Sequence, residues 1–350
     1  MNQDPRVYEH IAEAVGNTPL VKLGSTVTGL GVDVYAKIES MNPMGSIKDR
    51  IARHMVLRAL ESGELEPGGV VVESSSGNTA MGLAMMAIQY GLRCKLVVRR
   101  TTSPEKIDCL RALGAELILV DGSLPPEHPE SYNRKAQRVA EETPGAYFPD
   151  QHNNRCNNEA HYHSTGPEIW RQMDGKIDWL VAGIGTGGTV SGVARYLKEK
   201  DPAIQVMAVD VEGSVFTEYF RHGCHGAPGP YRLEGLGDEE IIGCPEFEFI
   251  DSMVQVRDRD AFFAARELTQ REGLFVGGSS GAALWGVRRL AQTLNGPARI
   301  VTVFPDSGSR YLSTIYNDDW MRDHGYMEAR AEEEASVQAE ALDPSLMPCG

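Results

Sequence analysis

One lysine near the start of the chain stands where a lysine can do chemistry. Residues 42–50 read NPMGSIKDR, so turn-forming residues lead through Ser46, a helix-capping residue type, to Lys48 at the beginning of an apolar helical stripe. Lys48 lies off that stripe. The positive end of the helix dipole and the neighbouring Arg50 would both lower the pKa of its amine, and an uncharged amine is what Schiff-base formation needs. Taken alone, a lysine at a helix start is more often a solvated surface charge.

A second candidate is a small polar loop that joins a strand to a helix. Residues 70–72 are three valines, residues 73–79 read ESSSGNT, and an apolar helical segment follows. A strand, a loop of serines and glycine, and a helix start bring backbone N–H groups and hydroxyls together around an anion. An ordinary capped turn has the same residue types. We therefore interpret the loop as an anion site only because Lys48 lies upstream.

A third candidate is the glycine-rich loop 183–189, which reads GIGTGGT and lies between a strand at 179–182 and a helix at 190–198. Glycines let the backbone approach a phosphate, and a helix N-terminus with threonine hydroxyls completes an anion site. Dinucleotide sites use the same physics, but their glycines are spaced G-x-G-x-x-G and usually lie near the N-terminus. The spacing here therefore argues against a nicotinamide oxidoreductase.

Strands and helices alternate along most of the chain. We predict strands at residues 34–38, 70–72, 95–98, 117–120, 179–182, 205–211 and 299–303, and helices after Lys48, after Asn78, from Ser103, at 131–142, at 190–198, at 258–272 and after residue 278. This alternation predicts an α/β fold with mostly parallel sheets flanked by helices.

Composition excludes several classes of protein. The 350 residues carry a net charge of −15, whereas nucleic-acid binding calls for a basic stripe. No apolar run approaches the roughly 20 residues that cross a bilayer, and the first ten residues do not resemble a signal peptide, so we expect no membrane partner and a cytoplasmic location. The six cysteines form no paired motif, which disfavours a disulfide scaffold.

Two groups of histidines are possible metal ligands. One is His222, Cys224 and His225, and the other is His152, His161 and His163. Each group lies on one short segment without a matched second pair, so the sequence predicts no metal site.

The lysine stretch NPMGSIKDR, the loops at 73–79 and 183–189, a GNTPL string at 16–20 and a GGSSG string at 277–281 together resemble the cysteine synthase and cystathionine β-synthase family of pyridoxal-phosphate (PLP) enzymes. The resemblance covers residues 10–326. It implies PLP as cofactor, attached to Lys48, the catalytic residue. It also assigns further cofactor contacts to Asn78, Gly185, Thr186, Gly187, Gly188, Thr189, Ser279 and Asp306, and substrate contacts to Ser75, Ser76, Gly77, Asn78, Thr79, Gln151 and Gly235.

The resemblance also implies an architecture. A fold type II PLP enzyme has two lobes, each with a mostly parallel twisted sheet flanked by helices, and the cofactor bridges them. We expect a smaller mobile lobe at 40–151, a larger cofactor-binding lobe at 1–39 and 152–326, and an acidic, flexible tail at 327–350. A homodimer is expected by family analogy.

The implied reaction is a β-replacement on serine, acetylserine or phosphoserine through an α-aminoacrylate intermediate, in which a thiol adds to give cystathionine or cysteine. Strings such as EGLG at 234–237 favour the cystathionine β-synthase branch. The chain departs from the usual sequence of that branch at two places. Asp238-Glu239-Glu240 stand where an aromatic motif is usual, and Arg99-Arg100 stand where Pro-Glu is common. Two arginines suit an anionic substrate, and the loop 73–76 resembles a branch that joins phosphoserine to glutamate. That carbon–nitrogen reaction and a catalytically silent binding paralogue are the alternatives.

Overall fold

A computed structural model describes residues 7–124 and 128–327, and these fold as two compact units. Unit 1 comprises the described parts of Met1–Pro19 and Glu39–Thr165, and unit 2 comprises Leu20–Ile38 and the described residues from Gly166 onward. Apart from its first residue, the predicted acidic tail at 327–350 lies outside the described residues.

The strands follow the predicted α/β alternation. In chain order they are β1 (Leu20–Lys22), β2 (Asp33–Ile38), β3 (Val70–Ser74), β4 (Arg93–Arg99), β5 (Glu116–Val120), β6 (Ala146–Tyr147), β7 (Trp179–Gly183), β8 (Gln205–Val211), β9 (Ser252–Val256) and β10 (Arg299–Phe304). All seven predicted strands are present, most of them extended by one or two residues. The sequence analysis did not predict the short strands β1, β6 and β9.

The helices are α1 (Lys48–Ser62), α2 (Asn78–Gln89), α3 (Pro104–Ala112), α4 (Tyr132–Glu142), α5 (Cys156–Ala160), α6 (Gly166–Gln172), α7 (Gly188–Lys200), α8 (Phe216–His222), α9 (Asp258–Glu272), α10 (Gly278–Thr293) and α11 (Asp318–Asp323). A π-helical turn, His161–Thr165, joins α5 to α6. The sequence analysis did not predict α5, α6, α8 and α11, because these short helices contain too few apolar residues to show a helical period. Within the described residues, no helix is long and apolar enough to span a membrane.

Unit 1 is built on a four-stranded parallel sheet in the order β5-β4-β3-β6. Strand β3 is buried along its whole length, as expected for a central strand covered on both faces. Helix α2 is also almost entirely buried and packs against α1, where Gly82 allows the close approach: a Cβ there would lie 2.9 Å from the Ala52 Cβ.

Unit 2 contains a six-stranded sheet in the order β1-β2-β10-β7-β8-β9. Only the edge strand β1 runs antiparallel to its neighbour, and the remaining pairs are parallel. Helices α9 and α10 pack against each other, and α10 lies against β7 and β10. Its core is formed by buried aliphatic residues of the sheet and of these two helices.

Among the described residues, the units differ from the predicted lobes at residues 7–19, 39 and 152–165, which the structure packs with unit 1. The reason is a set of contacts made within that unit. Helix α5 packs on α1, and the Thr18 hydroxyl donates to Glu39 Oε1 (2.6 Å), which in turn pairs with Arg50. The predicted mobility of the smaller lobe stays a prediction.

Candidate active site

Lys48 is the first residue of α1, as its sequence context predicts. The residue before the helix is Ile47, not Ser46, but the Ser46 hydroxyl still accepts the Lys48 backbone N–H at 3.2 Å. Asp49 folds back on the preceding turn, where its carboxylate accepts the Met44 N–H at 2.6 Å. The turn that delivers Lys48 is therefore held by hydrogen bonds to its own side chains.

Arg50, which the sequence analysis expects to lower the pKa of Lys48, is itself paired with a carboxylate. Its guanidinium is buried and forms a two-point ion pair with Glu39, through Nε at 2.6 Å and Nη2 at 2.8 Å. A neighbouring carboxylate offsets part of the field of a buried guanidinium. The effect of Arg50 on the pKa of Lys48 stays a prediction. The ion pair anchors the start of α1 to the segment before the lysine loop.

The loop after β3 forms a polar cradle at the start of α2. Ser75 Oγ accepts the Ala80 N–H at 3.1 Å, which fixes the loop on the first helical turn. The Thr79 hydroxyl donates to Gln151 Oε1 at 2.6 Å, so two predicted substrate contacts meet directly. Gly77 precedes the helix and Asn78 is its first residue. The structure therefore assembles all of the predicted carboxylate-binding residues of unit 1 around one helix N-terminus.

Beneath this cradle lies Glu73, which the sequence analysis gave no role. Its fully buried carboxylate accepts the Ser74 N–H at 2.8 Å and the Gln151 N–H at 3.3 Å, and so connects the two sides of the cradle. Burial raises the pKa of Glu73 from the usual 4.5 to about 8, although these backbone N–H groups oppose the rise. The sequence signal that could have identified Glu73 is its position directly after the three valines of a predicted buried strand.

Residues of α4 also support the cradle and were missed from sequence. The Ser74 hydroxyl donates to Asn133 Oδ1 at 2.8 Å, and the Ser76 and Tyr132 hydroxyls lie 3.4 Å apart. The Arg99 guanidinium lies over the Tyr132 ring at 4.6 Å, and its backbone N–H donates to Ser76. One of the two unusual arginines is thus in contact with residues that hold the cradle.

In unit 2 the glycine loop after β7 opens α7, and its conformation depends on close backbone packing. A Cβ at Gly185 would lie 2.3 Å from the Gly235 carbonyl oxygen, and one at Gly187 would lie 2.6 Å from Pro245. Gly187 also has a left-handed backbone (φ +84). The structure thus brings the predicted substrate contact Gly235 against the predicted phosphate loop, and Thr186, Gly188 and Thr189 lie at the start of α7.

Ser279 and Asp306 occupy the other predicted cofactor positions of unit 2. Ser279 lies in the first turn of α10, and its hydroxyl makes no hydrogen bond within the described part of the chain. Asp306 is buried and accepts the Tyr311 hydroxyl at 2.7 Å, while its carbonyl accepts the Gly277 N–H. Burial and the Asp306 charge raise the pKa of Tyr311 well above its ordinary value, so Tyr311 remains a donor. Asp306 therefore supports the segment that begins at Gly277 and carries Ser279.

These residues fit PLP by their chemistry. A phosphate needs helix-terminal N–H groups and hydroxyls, which the start of α7 offers. An aldehyde needs an amine, which Lys48 offers. A pyridine nitrogen needs a hydrogen-bonding group such as the Ser279 hydroxyl, which has no partner among residues 7–124 and 128–327. Lys48 and Asn78 belong to unit 1, and the glycine loop, Ser279 and Asp306 belong to unit 2.

Comparison with known proteins agrees with this donor set. The family described as pyridoxal-phosphate dependent enzyme matches residues 11–306. Cystathionine beta-synthase of Apis mellifera is 40% identical over 325 residues, which are 92% of this chain and 64% of that protein. The chain thus spans about three fifths of the length of the animal cystathionine beta-synthases that it matches.

Two bacterial relatives match over most of their own length. O-acetylserine dependent cystathionine beta-synthase of Bacillus subtilis is 40% identical over 88% of this chain and 97% of that protein. N-(2-amino-2-carboxyethyl)-L-glutamate synthase of Ralstonia nicotianae is 41% identical over 90% of this chain and 91% of that protein. With a lysine at the start of α1, a glycine loop at the start of α7 and relatives of this kind, the chain belongs to the family of pyridoxal-phosphate dependent enzymes.

Proposed function

We propose that this chain catalyses β-replacement on serine or an activated serine, such as acetylserine or phosphoserine, and adds a thiol to give cystathionine or cysteine. The family supports PLP chemistry, and relatives named for cystathionine and cysteine synthesis support the thiol branch. The leaving group and the nucleophile are assigned here by proposal.

The observation that supports the proposal most strongly is the environment of the Ser279 hydroxyl. Its hydroxyl lies in the first turn of a buried helix and has no hydrogen-bond partner among the described residues. A neutral hydroxyl facing the pyridine nitrogen does not hold that nitrogen protonated, as a carboxylate would. The ring then withdraws electrons less strongly, which favours loss of a β-substituent over transamination or racemisation.

Each residue has a definable task in such a reaction. When bound, PLP supplies an electron sink that acidifies the α carbon of an attached amino acid. The amine of Lys48 would bind the cofactor aldehyde, take the α proton at Nζ and return it to the product. The cradle at Ser75–Thr79 and Gln151 would bind the substrate carboxylate, with Thr79 orienting the Gln151 amide. The start of α7 would hold the phosphate.

A carbon–nitrogen branch is a second candidate, because Arg99 contacts the residues that hold the cradle. Its guanidinium packs on Tyr132, whose hydroxyl lies beside that of Ser76. A cation there suits a donor with a phosphate leaving group, and the relative from Ralstonia is named for a product that contains glutamate. Phosphoserine with an amino-acid nucleophile is therefore the alternative substrate pair.

Assembly and location complete the proposal. We infer a homodimer, as the family resemblance implies, and a cytoplasmic location. The five cysteines that the structure describes are free thiols, as expected for a reducing compartment.

The decisive experiment is spectroscopic. The purified protein should show PLP absorption, and titration with serine, acetylserine and phosphoserine should change that spectrum for the donor that it uses. Homocysteine, sulfide and glutamate, added next, should restore the original spectrum only for the true nucleophile, and mass spectrometry should identify the product. A protein that neither contains nor takes up PLP would act as a binding paralogue, and the proposal would be withdrawn.

Two variants separate the branches. Ser279→Asp should lower the β-replacement rate and allow transamination, and an unaltered rate would contradict the role of Ser279. Arg99→Glu should raise KM for phosphoserine about tenfold while leaving KM for serine unchanged if the anion is recognised here. Arg93→Glu is the matched control, because Arg93 is exposed at the opposite end of the same strand, β4. Equal effects of the two reversals would remove Arg99 from substrate selection.

A further inference from the structure

A cluster of three metal-ligating side chains lies in unit 1, apart from every residue assigned above. His54 comes from α1, and Cys156 and Glu159 come from α5. One ligand atom from each lies within 4.8 Å of the other two, and His54 Nε2 is 3.4 Å from Glu159 Oε2. The two helices pack against each other, so the cluster is formed by elements with fixed backbones.

The three side chains are partly exposed to solvent and partly enclosed by the protein. The side chain of His54 is 23% exposed and that of Glu159 is 44% exposed, and Cys156 is half-buried. A cavity of about 110 Å³ opens beside His54, lined also by His163, Arg53 and Ser164. The His163 ring stacks on that of His54, with centroids 6.2 Å apart, and belongs to the π-helical turn that follows α5. Such turns are often found at functional sites.

We propose that His54, Cys156 and Glu159 bind a divalent transition-metal ion of the zinc class, and that this ion braces α1 against α5. One nitrogen, one sulfur and one oxygen donor suit tetrahedral zinc, with the fourth position open to water. Ligand atoms about 2.0–2.3 Å from a tetrahedral ion lie roughly 3.3–3.8 Å from each other. The His54–Glu159 separation of 3.4 Å already has this value, and the Cys156 sulfur lies within 4.8 Å of both ligand atoms.

The protonation states are compatible with binding. Burial lowers the pKa of His54, which leaves the imidazole neutral and able to donate a lone pair. Burial, with the nearby Glu159 carboxylate, raises the pKa of the Cys156 thiol. The ion therefore displaces the thiol proton to solvent as the sulfur–metal bond forms, and no oxidant is required. One thiolate and one carboxylate then balance the two charges of the ion.

Other charged groups near the cluster oppose binding only partly. The Arg58 guanidinium acts on both His54 and Cys156, but it also pairs with Glu61 at 3.4 Å, and Glu64 adds negative potential at Cys156. Arg53 lines the neighbouring cavity, and the imidazole of His163 is the other titratable group facing His54. A dication bound by two anionic ligands gains more from them than it loses to one paired guanidinium.

A metal here would act on the active site indirectly. Helix α1 begins with Lys48, and α5 follows the segment that contains Gln151. An ion that holds α1 and α5 together would stabilise the folded state of unit 1 in proportion to its affinity and concentration. This proposal does not depend on which β-replacement the chain catalyses. It departs from the expectation of no metal site, because the three ligands come from helices far apart in the sequence.

The test uses the full-length, PLP-loaded protein after removal of metal with a chelator. Cobalt(II) should bind one ion per chain and give tetrahedral d–d bands, at longer wavelengths than PLP absorbs. Zinc should displace it, compete with a chromophoric chelator and raise the melting temperature. Cys156→Ser should weaken zinc binding about 100-fold and abolish the tetrahedral cobalt spectrum. Cys109→Ser is the matched control, because Cys109 is an exposed free thiol of the same unit.

Two further variants distinguish loss of metal binding from misfolding. Glu159→Gln and His54→Gln keep side-chain size and should each weaken zinc affinity about tenfold or more, while circular dichroism and PLP content stay unchanged. The proposal is overturned if Cys156→Ser binds cobalt with the same spectrum and affinity as the parent, since the ion would then be held by the cofactor or elsewhere. Failure of the parent to bind one ion per chain would overturn it as well.

Discussion

The two units hold their candidate ligand sites in different ways, although both place them at helix starts that follow parallel strands. In unit 1 the cradle depends on side-chain hydrogen bonds, among them those from Thr79 to Gln151 and from backbone N–H groups to Glu73. In unit 2 the glycine loop depends on the absence of side chains, because backbone of Gly235 and Pro245 fills the space that a Cβ would need. The first arrangement should respond to pH and to loss of single polar groups, and the second to added volume.

Removing the amine of Lys48 should have the largest effect on activity. Lys48→Ala should lower kcat for β-replacement by about 10³-fold or more, because both covalent attachment and proton transfer are lost. Steady-state kinetics with the donor identified above would measure this, and borohydride reduction followed by peptide mapping would locate the attached lysine. Lys106→Ala, on α3 of the same unit, is the control and should leave kcat unchanged. Cofactor attached at any other lysine would contradict the assignment.

Adding one methyl group to the glycine loop tests unit 2. Gly185→Ala should destabilise the fold by about 1–3 kcal/mol, because its Cβ would collide with the Gly235 carbonyl oxygen, and should weaken PLP binding through the displaced loop. Gly296→Ala is the control, since a Cβ there meets nothing within 4 Å. Denaturant unfolding and PLP titration would report both quantities. Equal stability of the two variants would show that the loop yields to added volume.

Removing one hydroxyl tests the cradle of unit 1. Thr79→Val keeps the shape of the side chain but loses the buried hydrogen bond to Gln151. KM for the amino-acid donor should therefore rise about fivefold, and the free energy of unfolding should fall by about 1 kcal/mol. Thr293→Val is the control, because that hydroxyl bonds only to Leu290 of its own helix. An unchanged KM would mean that Gln151 does not need Thr79 to bind the carboxylate.

The pH dependence of stability tests Glu73 beneath the cradle. The pKa of Glu73 rises from 4.5 to about 8 on folding, so the folded state retains a proton that the unfolded state has lost. The stability contributed by protonated Glu73 is complete below pH 4.5 and is lost as pH rises toward about 8. Glu73→Gln cannot ionise and should flatten this decline, which unfolding at a series of pH values would measure. A slope equal to that of the parent protein would show that Glu73 does not titrate in this range.

Much of the fold follows from local sequence. Residues 205–211 and 258–272 form a strand and a helix with the predicted bounds, because hydrophobic periodicity and capping residues act within one element. Helices α5 and α6, the π-helical turn and β9 were not predicted, since short elements carry too few residues for a period to show. Helix α5 and the π-helical turn pack against α1, α6 packs against α7, and β9 pairs with β8, so their positions depend on tertiary contacts.

The candidate site divides in the same way. By itself the sequence determined that Lys48 begins a helix and that polar and glycine loops follow strands, and its resemblance to a known family implied PLP as the cofactor. Only the tertiary structure decided that Arg50 pairs with Glu39, that Glu73 connects Ser74 to Gln151, and that His54 meets Cys156. The physical reason is range: turn chemistry and periodicity act between neighbours in sequence, whereas burial, ion pairing and metal ligation depend on residues that only packing brings together.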